Sequence, residues 1–130
     1  MCQHVWNALR SLRRPCSGTQ PRFSLTEGAE CTIEVNPEDV DGAAARAWAA
    51  AGVNRVSLGV QSFDARVLRW MHRGHDAEAV ELAVHEIRGA GIENVSIDLI
   101  YAMPPDVPRD WTRDLELAIA LEPDHLSCYG

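Results

Sequence analysis

The sequence predicts an α/β chain of about four parallel strands with helices on their outer face, one part of a (β/α) barrel. Three features carry that expectation. Ala51-Gly52-Val53-Asn54-Arg55-Val56-Ser57-Leu58 is echoed 39 residues later by Ala90-Gly91-Ile92-Glu93-Asn94-Val95-Ser96-Ile97, with a fainter third copy ending at Leu126-Ser127-Cys128. Each copy reads as a helix end, a glycine suited to the left-handed C′ position and a buried strand. Apolar helical stripes lie between the copies, and each strand segment splits by parity into an apolar and a polar set.

Taken in order, the strands are expected near 31–35, 55–61, 95–100 and 126–129. The first intervening helix, about Ala43 to Ala50, rests on alanine propensity and the bulk of Trp48. The second has Asp76 placed as its cap, Glu78 in its first turn and an apolar stripe of Val80, Ala83, Val84 and Ile87. The third is expected to start with Pro108 at its first position and to bury Trp111, Leu115 and Ile119. Strands joined through helices require a parallel sheet with right-handed crossovers. Residues 30–130 are read as this barrel part. The first 29 residues have no clear period; Asn7 to Arg14 allows two turns of helix, but 1–29 is read as an irregular or mis-joined leader.

The parity of the strands points to a site. Ile33 and Val35, then Val56, Leu58 and Val60, then Val95, Ile97 and Leu99, then Leu126 and Cys128 form one face, as helix cover requires. The opposite face carries Thr32, Glu34 and Asn36; Ser57, Gly59 and Gln61; Ser96 and Asp98; Ser127 and Tyr129. A closed barrel usually fills its interior with branched apolar side chains. Leaving Glu34, Gln61 and Asp98 buried and unpaired would cost several kcal/mol each, so the pattern predicts a polar ligand or a wet cavity. Structural alternatives stand beside this: Glu34 paired with a neighbouring arginine, Gln61 capping the next turn, Asp98 held in a structural bond.

Composition narrows the function classes. The 130 residues carry a formal charge of −7. Four of the twelve bases (Arg10, Arg13, Arg14, Arg22) and none of the nineteen acids fall in the first 23 residues, so the remainder is strongly acidic and argues against a nucleic-acid partner. Cys2, Cys16, Cys31 and Cys128 lack the short spacings of a disulfide framework or a zinc site. Cys31 and Cys128 fall on the helix-facing parity and read as small buried hydrophobes. No apolar run approaches a membrane span or a signal-peptide core, and a cytoplasmic location is expected. His72 and His75 lie in a polar stretch and are expected to face solvent, while His125 is placed in the turn before the last strand, at the opposite end of the barrel.

The runs Ile33-Glu34-Val35-Asn36-Pro37-Glu38-Asp39, Gly59-Val60-Gln61-Ser62-Phe63-Asp64, Asp98-Leu99-Ile100-Tyr101 and Glu122-Pro123-Asp124-His125-Leu126-Ser127-Cys128-Tyr129-Gly130 resemble successive strand ends of the oxygen-independent coproporphyrinogen oxidase and heme chaperone family of radical S-adenosylmethionine (SAM) enzymes. The Gln-Ser-Phe-Asp form looks more like the heme chaperone (HemW) branch than the true coproporphyrinogen oxidase (HemN). The resemblance implies strands three to six of a radical SAM barrel, with Glu34, Gln61, Asp98 and, from the helical segment after the Gln-Ser-Phe run, Arg73 binding SAM. Carboxylates suit an ammonium or ribose hydroxyls, an amide suits ribose, and an arginine suits a carboxylate.

The resemblance also implies a [4Fe-4S] cluster held by a C-x3-C-x2-C loop, and a Gly-Gly-Gly-Thr-Pro turn; neither occurs in this sequence. Met103-Pro104-Pro105 departs from the family's usual glycine-proline turn. The expectation is therefore a truncated chain, inactive alone, completed by the missing barrel half, with heme or a porphyrin as a further candidate ligand. Two rival readings are a non-enzymatic heme-transfer protein and an unrelated metal-free nucleotide-binding α/β module.

Overall fold

The computed structural model describes residues 26–107 and 109–130. Strands β1 (Thr32–Val35), β2 (Arg55–Gln61), β3 (Asn94–Ile100) and β4 (His125–Tyr129) form one parallel sheet in the order β1-β2-β3-β4. A short 3₁₀ turn (Pro37–Asp39) and helix α1 (Gly42–Ala51) join β1 to β2. Helices α2 (Ala65–Trp70) and α3 (Ala77–Gly89) join β2 to β3, and α4 (Trp111–Ala120) joins β3 to β4. Sequential parallel neighbours joined through helices are the βα repeat that the recurring segment predicts. The expectations for residues 1–25, and for Pro108, lie outside the described residues.

Local chemistry sets the element ends. Asp41, Asp64, Asp76 and Asp110 each stand at an N-cap and accept a backbone N–H from the following turn, at 2.7–3.0 Å. Gly52 (φ 92°) and Gly91 (φ 86°) follow the ends of α1 and α3 in the left-handed region, which a side chain would strain. With Asp110 as the cap, α4 begins at Trp111.

The core lies between the sheet's apolar face and the helices. Ile33, Val35, Val56, Leu58, Val60, Val95, Ile97 and Leu99 are all buried, together with Trp48 of α1 and Val80, Ala83, Val84 and Ile87 of α3. This matches the parity split and the predicted stripe of α3.

Three packing expectations fail. Ile119 is exposed, while Asp114 and Ala118 are buried. Each four-residue step advances a helix by about 40°, so Ile119 stands about 80° round from Trp111 and clears the sheet. Cys128 is exposed on β4 and Cys31 only half-buried just before β1, because β4 and β1 are the two edge strands of the sheet. His75 is buried rather than solvent-facing, whereas His72 is exposed and His125 opens β4 in an exposed position at the end away from the strand C-termini.

Candidate functional site

The polar parity faces a cavity of about 710 Å³, lined by β1, the turn after it, β2, the segment after α2 and β3. Glu34, Gln61, Arg73 and Asp98 all line it, as do Asn36, Asp39, Ser57 and Gly59. Four residues distant in sequence therefore share one wall.

Each reaches the wall differently. Glu34 projects from the short edge strand β1, and no described arginine forms an ion pair with it. Asp98, half-buried on β3, receives the Ser57 hydroxyl at 2.8 and 3.0 Å from its two oxygens. One hydroxyl proton satisfies part of a carboxylate's accepting capacity, so Asp98 is both structurally tied and able to accept from a ligand. Arg73 sits in the turn between α2 and α3, not within a helix, and donates to Asn36 Oδ1 at 2.6 Å; Asn36 Nδ2 donates in turn to Asp39 Oδ2 at 3.2 Å. A guanidinium has five donors, so Arg73 keeps several free for a ligand.

Gln61 is the least regular of the four. The β2–β3 register gains one residue on β2 between Leu58 and Gln61, so strict alternation breaks at the strand's end. Gln61 adopts φ 69°, and the Ser62 N–H donates to the Val60 carbonyl at 2.8 Å. A two-residue hydrogen bond around a central residue of positive φ is a strained γ-turn. Gly59 makes room for it: a Cβ there would lie 3.0 Å from Gln61 Nε2 and 3.4 Å from Asn36 Oδ1.

Behind this wall lies a buried ionic cluster that sequence reasoning missed. Asp114 is 1% exposed and accepts from Ser62 Oγ at 2.8 Å, Phe63 N–H at 2.8 Å and Arg109 at 2.7 Å. Arg109 also donates to the Ile100 carbonyl and stacks over Trp111, 4.6 Å from its ring centroid. Thus α4 anchors the segment immediately following Gln61. The signal available in the sequence was an acid three residues after Trp111, flanking the predicted apolar stripe and four residues before Ala118.

The sequence matches the Radical SAM superfamily over residues 5–118. The chain belongs to that superfamily. This radical SAM chain is 37% identical over 108 residues to the oxygen-independent coproporphyrinogen III oxidase of Paracoccus denitrificans, covering 83% of this chain and 24% of that protein. It is 39% identical over 107 residues to the heme chaperone HemW of Synechocystis, covering 82% of this chain and 26% of that protein. The solved structure of coproporphyrinogen III oxidase (HemN) from Escherichia coli matches with a TM-score of 0.74 and 29% identity, over 98% of this chain and 27% of that one. A radical SAM methyltransferase, TsrM, from Kitasatospora setae shares the fold with a TM-score of 0.71 at 21% identity, over 97% of this chain and 25% of that one. The chain spans about a quarter of the length of these relatives, and the partial radical SAM barrel expected from the sequence is the fold observed.

The superfamily's two ligands fare differently here. SAM suits the cavity's donor set: unpaired Glu34, an arginine with free donors, an amide and a second carboxylate around a bare Cα at Gly59. The iron-sulfur cluster does not suit these residues. The cysteines at 2, 16, 31 and 128 have no C-x3-C-x2-C spacing, neither Cys31 nor Cys128 lines the cavity, and no group of three or more ligating side chains gathers among the described residues. No helix among them is long and apolar enough to cross a membrane.

Proposed function

We propose that the cavity binds SAM, and that residues 30–130 supply strands three to six of the barrel of a HemW- or HemN-like radical SAM protein acting in heme and porphyrin metabolism. The observation that carries this is the convergence of Glu34, Gln61, Arg73 and Asp98 on one polar wall. In this reading Arg73, steadied by Asn36, pairs with the methionyl carboxylate. Glu34 and Asp98 take the ammonium or ribose hydroxyls, and Gln61 both donates and accepts at ribose. Bound SAM supplies the superfamily's reductive cleavage chemistry once an electron reaches it. Glu34, Gln61, Arg73 and Asp98 bind and orient it.

The relatives include both an oxidase and a heme chaperone, and the Gln-Ser-Phe-Asp run favours the chaperone branch. A complete protein that binds heme, read by Soret absorbance, without turning over a porphyrinogen is the chaperone outcome; porphyrinogen turnover is the oxidase outcome.

Calorimetric titration of SAM into the chain, and into Gln61→Ala and Asp98→Ala, tests the site. Each removed contact to a charged or polar group is worth about 1.5–3 kcal/mol, a loss of roughly ten- to a hundredfold in affinity. Unchanged affinity in both variants overturns the assignment.

A further inference from the structure

We infer that His75 is a positioning residue for this pocket: it holds the strained γ-turn that presents Gln61 and ties that turn to the loop that steadies Arg73. The inference rests on the SAM reading for its consequence, and on geometry alone for its mechanism.

The His75 side chain is fully buried, with Nδ1 2.9 Å from Glu38 Oε2 and Nε2 2.9 Å from the Val60 carbonyl. A carbonyl can only accept, so Nε2 donates to Val60, while Nδ1 lies within hydrogen-bonding distance of the Glu38 carboxyl group. The Val60 carbonyl is the one that closes the γ-turn, because Ser62 N–H also donates to it. A carbonyl has two lone pairs, and here both are taken: one by the turn's own N–H, the other by the imidazole.

This second bond favours the conformation in which Gln61 sits at positive φ. The Asp114 cluster fixes the chain after Gln61, through Ser62 Oγ and Phe63 N–H, while His75 fixes the carbonyl before it. Glu38 lies in the 3₁₀ turn that directly follows Asn36, and Arg73, two residues before His75, donates to Asn36. One short segment, Arg73 to His75, thus clasps β1's loop twice and β2's end once. A strained residue at a binding wall needs such over-determination to persist.

The test separates positioning from simple core filling. In the ligand-free chain, His75→Ala is expected to raise the exchange rate of the Ser62 amide by about ten- to a hundredfold, the loss of one buried hydrogen bond, while the Ile97 amide in the middle of β3 changes little. His75→Gln keeps one N–H for the Val60 carbonyl and is expected to restore most of that protection. SAM titration should follow the same order, with His75→Ala weakened about tenfold and His75→Gln close to the parent chain. Ser62 exchange that moves no more than Ile97 exchange overturns the positioning role, as does a His75→Gln variant no better than His75→Ala. If the parent chain takes no SAM, the ligand reading falls and the exchange comparison alone decides whether His75 holds the turn.

Discussion

Asp114→Ala tests the buried cluster behind the site. The carboxylate accepts three bonds while 1% exposed, and its partner Arg109 has a side chain only 10% exposed. Deleting it leaves a buried guanidinium without its counter-charge, held only by the Ile100 carbonyl, and takes away the acceptor of the Ser62 hydroxyl and the Phe63 N–H. Breaking a buried pair from one side costs about 3–5 kcal/mol, because the remaining charge is desolvated and uncompensated. With a urea dependence of about 2 kcal/mol/M, the unfolding midpoint followed by tryptophan fluorescence should fall by about 2 M. Replacing both partners by apolar groups, Arg109→Met with Asp114→Leu, should recover the part of that loss due to the uncompensated charge, while the Ser62 hydroxyl and Phe63 N–H still lack their acceptor. If Asp114→Ala stays within about 1 kcal/mol of the parent, or the double variant is worse than the single, the reasoning is wrong.

Gly59→Ala should weaken SAM binding by about tenfold with little change in unfolding midpoint, because the new methyl meets the Gln61 amide nitrogen at 3.0 Å; unchanged titration refutes the close approach. Trp48→Ala empties a site that is 4% exposed between α1 and the sheet, and should cost about 3–5 kcal/mol in chemical denaturation. The hydrogen-bonded Arg66 side chain holds the Asp64 carboxyl below its ordinary value. A lowered folded value means that Asp64's contribution is present above its unfolded value and fades as acid protonates the native carboxylate. The stability gap between the parent and Asp64→Ala, about 1 kcal/mol near neutrality, should therefore narrow below the ordinary carboxylate value of about 3.8; a gap that widens in acid contradicts it.

Much of this molecule is readable from local pattern. The alternation in β1 announces which side chains meet helices and which meet the cavity, β3 follows it at Asp98 but not at the buried Ser96, and the stripe of α3 is buried as its spacing requires. Glu34 and Asp98 share the wall because parallel strands keep equal parity on equal sides, whereas Gln61 reaches it past a bulge and Arg73 from a turn tied to Asn36. What the sequence hides is non-local. Asp114 meets Ser62 across 52 residues, and His75 meets Glu38 across 37, so neither polar side chain declares its burial to its neighbours in the chain. The bulge in β2 is hidden for a related reason: strict alternation through Gln61 predicts the correct wall, but only pairing with β3 exposes the extra residue and the left-handed turn it creates. In α4, an apolar stripe read every fourth residue follows the drift of the helix rather than the line that touches the sheet, which is why Ile119 was expected inside and Asp114 was not.

The strand register also acts as a ruler. Glu34 stands level with Ser57, and Ser57 with Ser96, so Asp98 lies two residues farther along its strand than the row of Glu34. Two residues advance about 6.6 Å, and two strand spacings add about 9.6 Å sideways, which puts the two carboxylates' backbones roughly 12 Å apart on a diagonal across the sheet. An elongated molecule laid obliquely along this diagonal would touch both. The register would thereby set the ligand's orientation before any individual contact selects its identity.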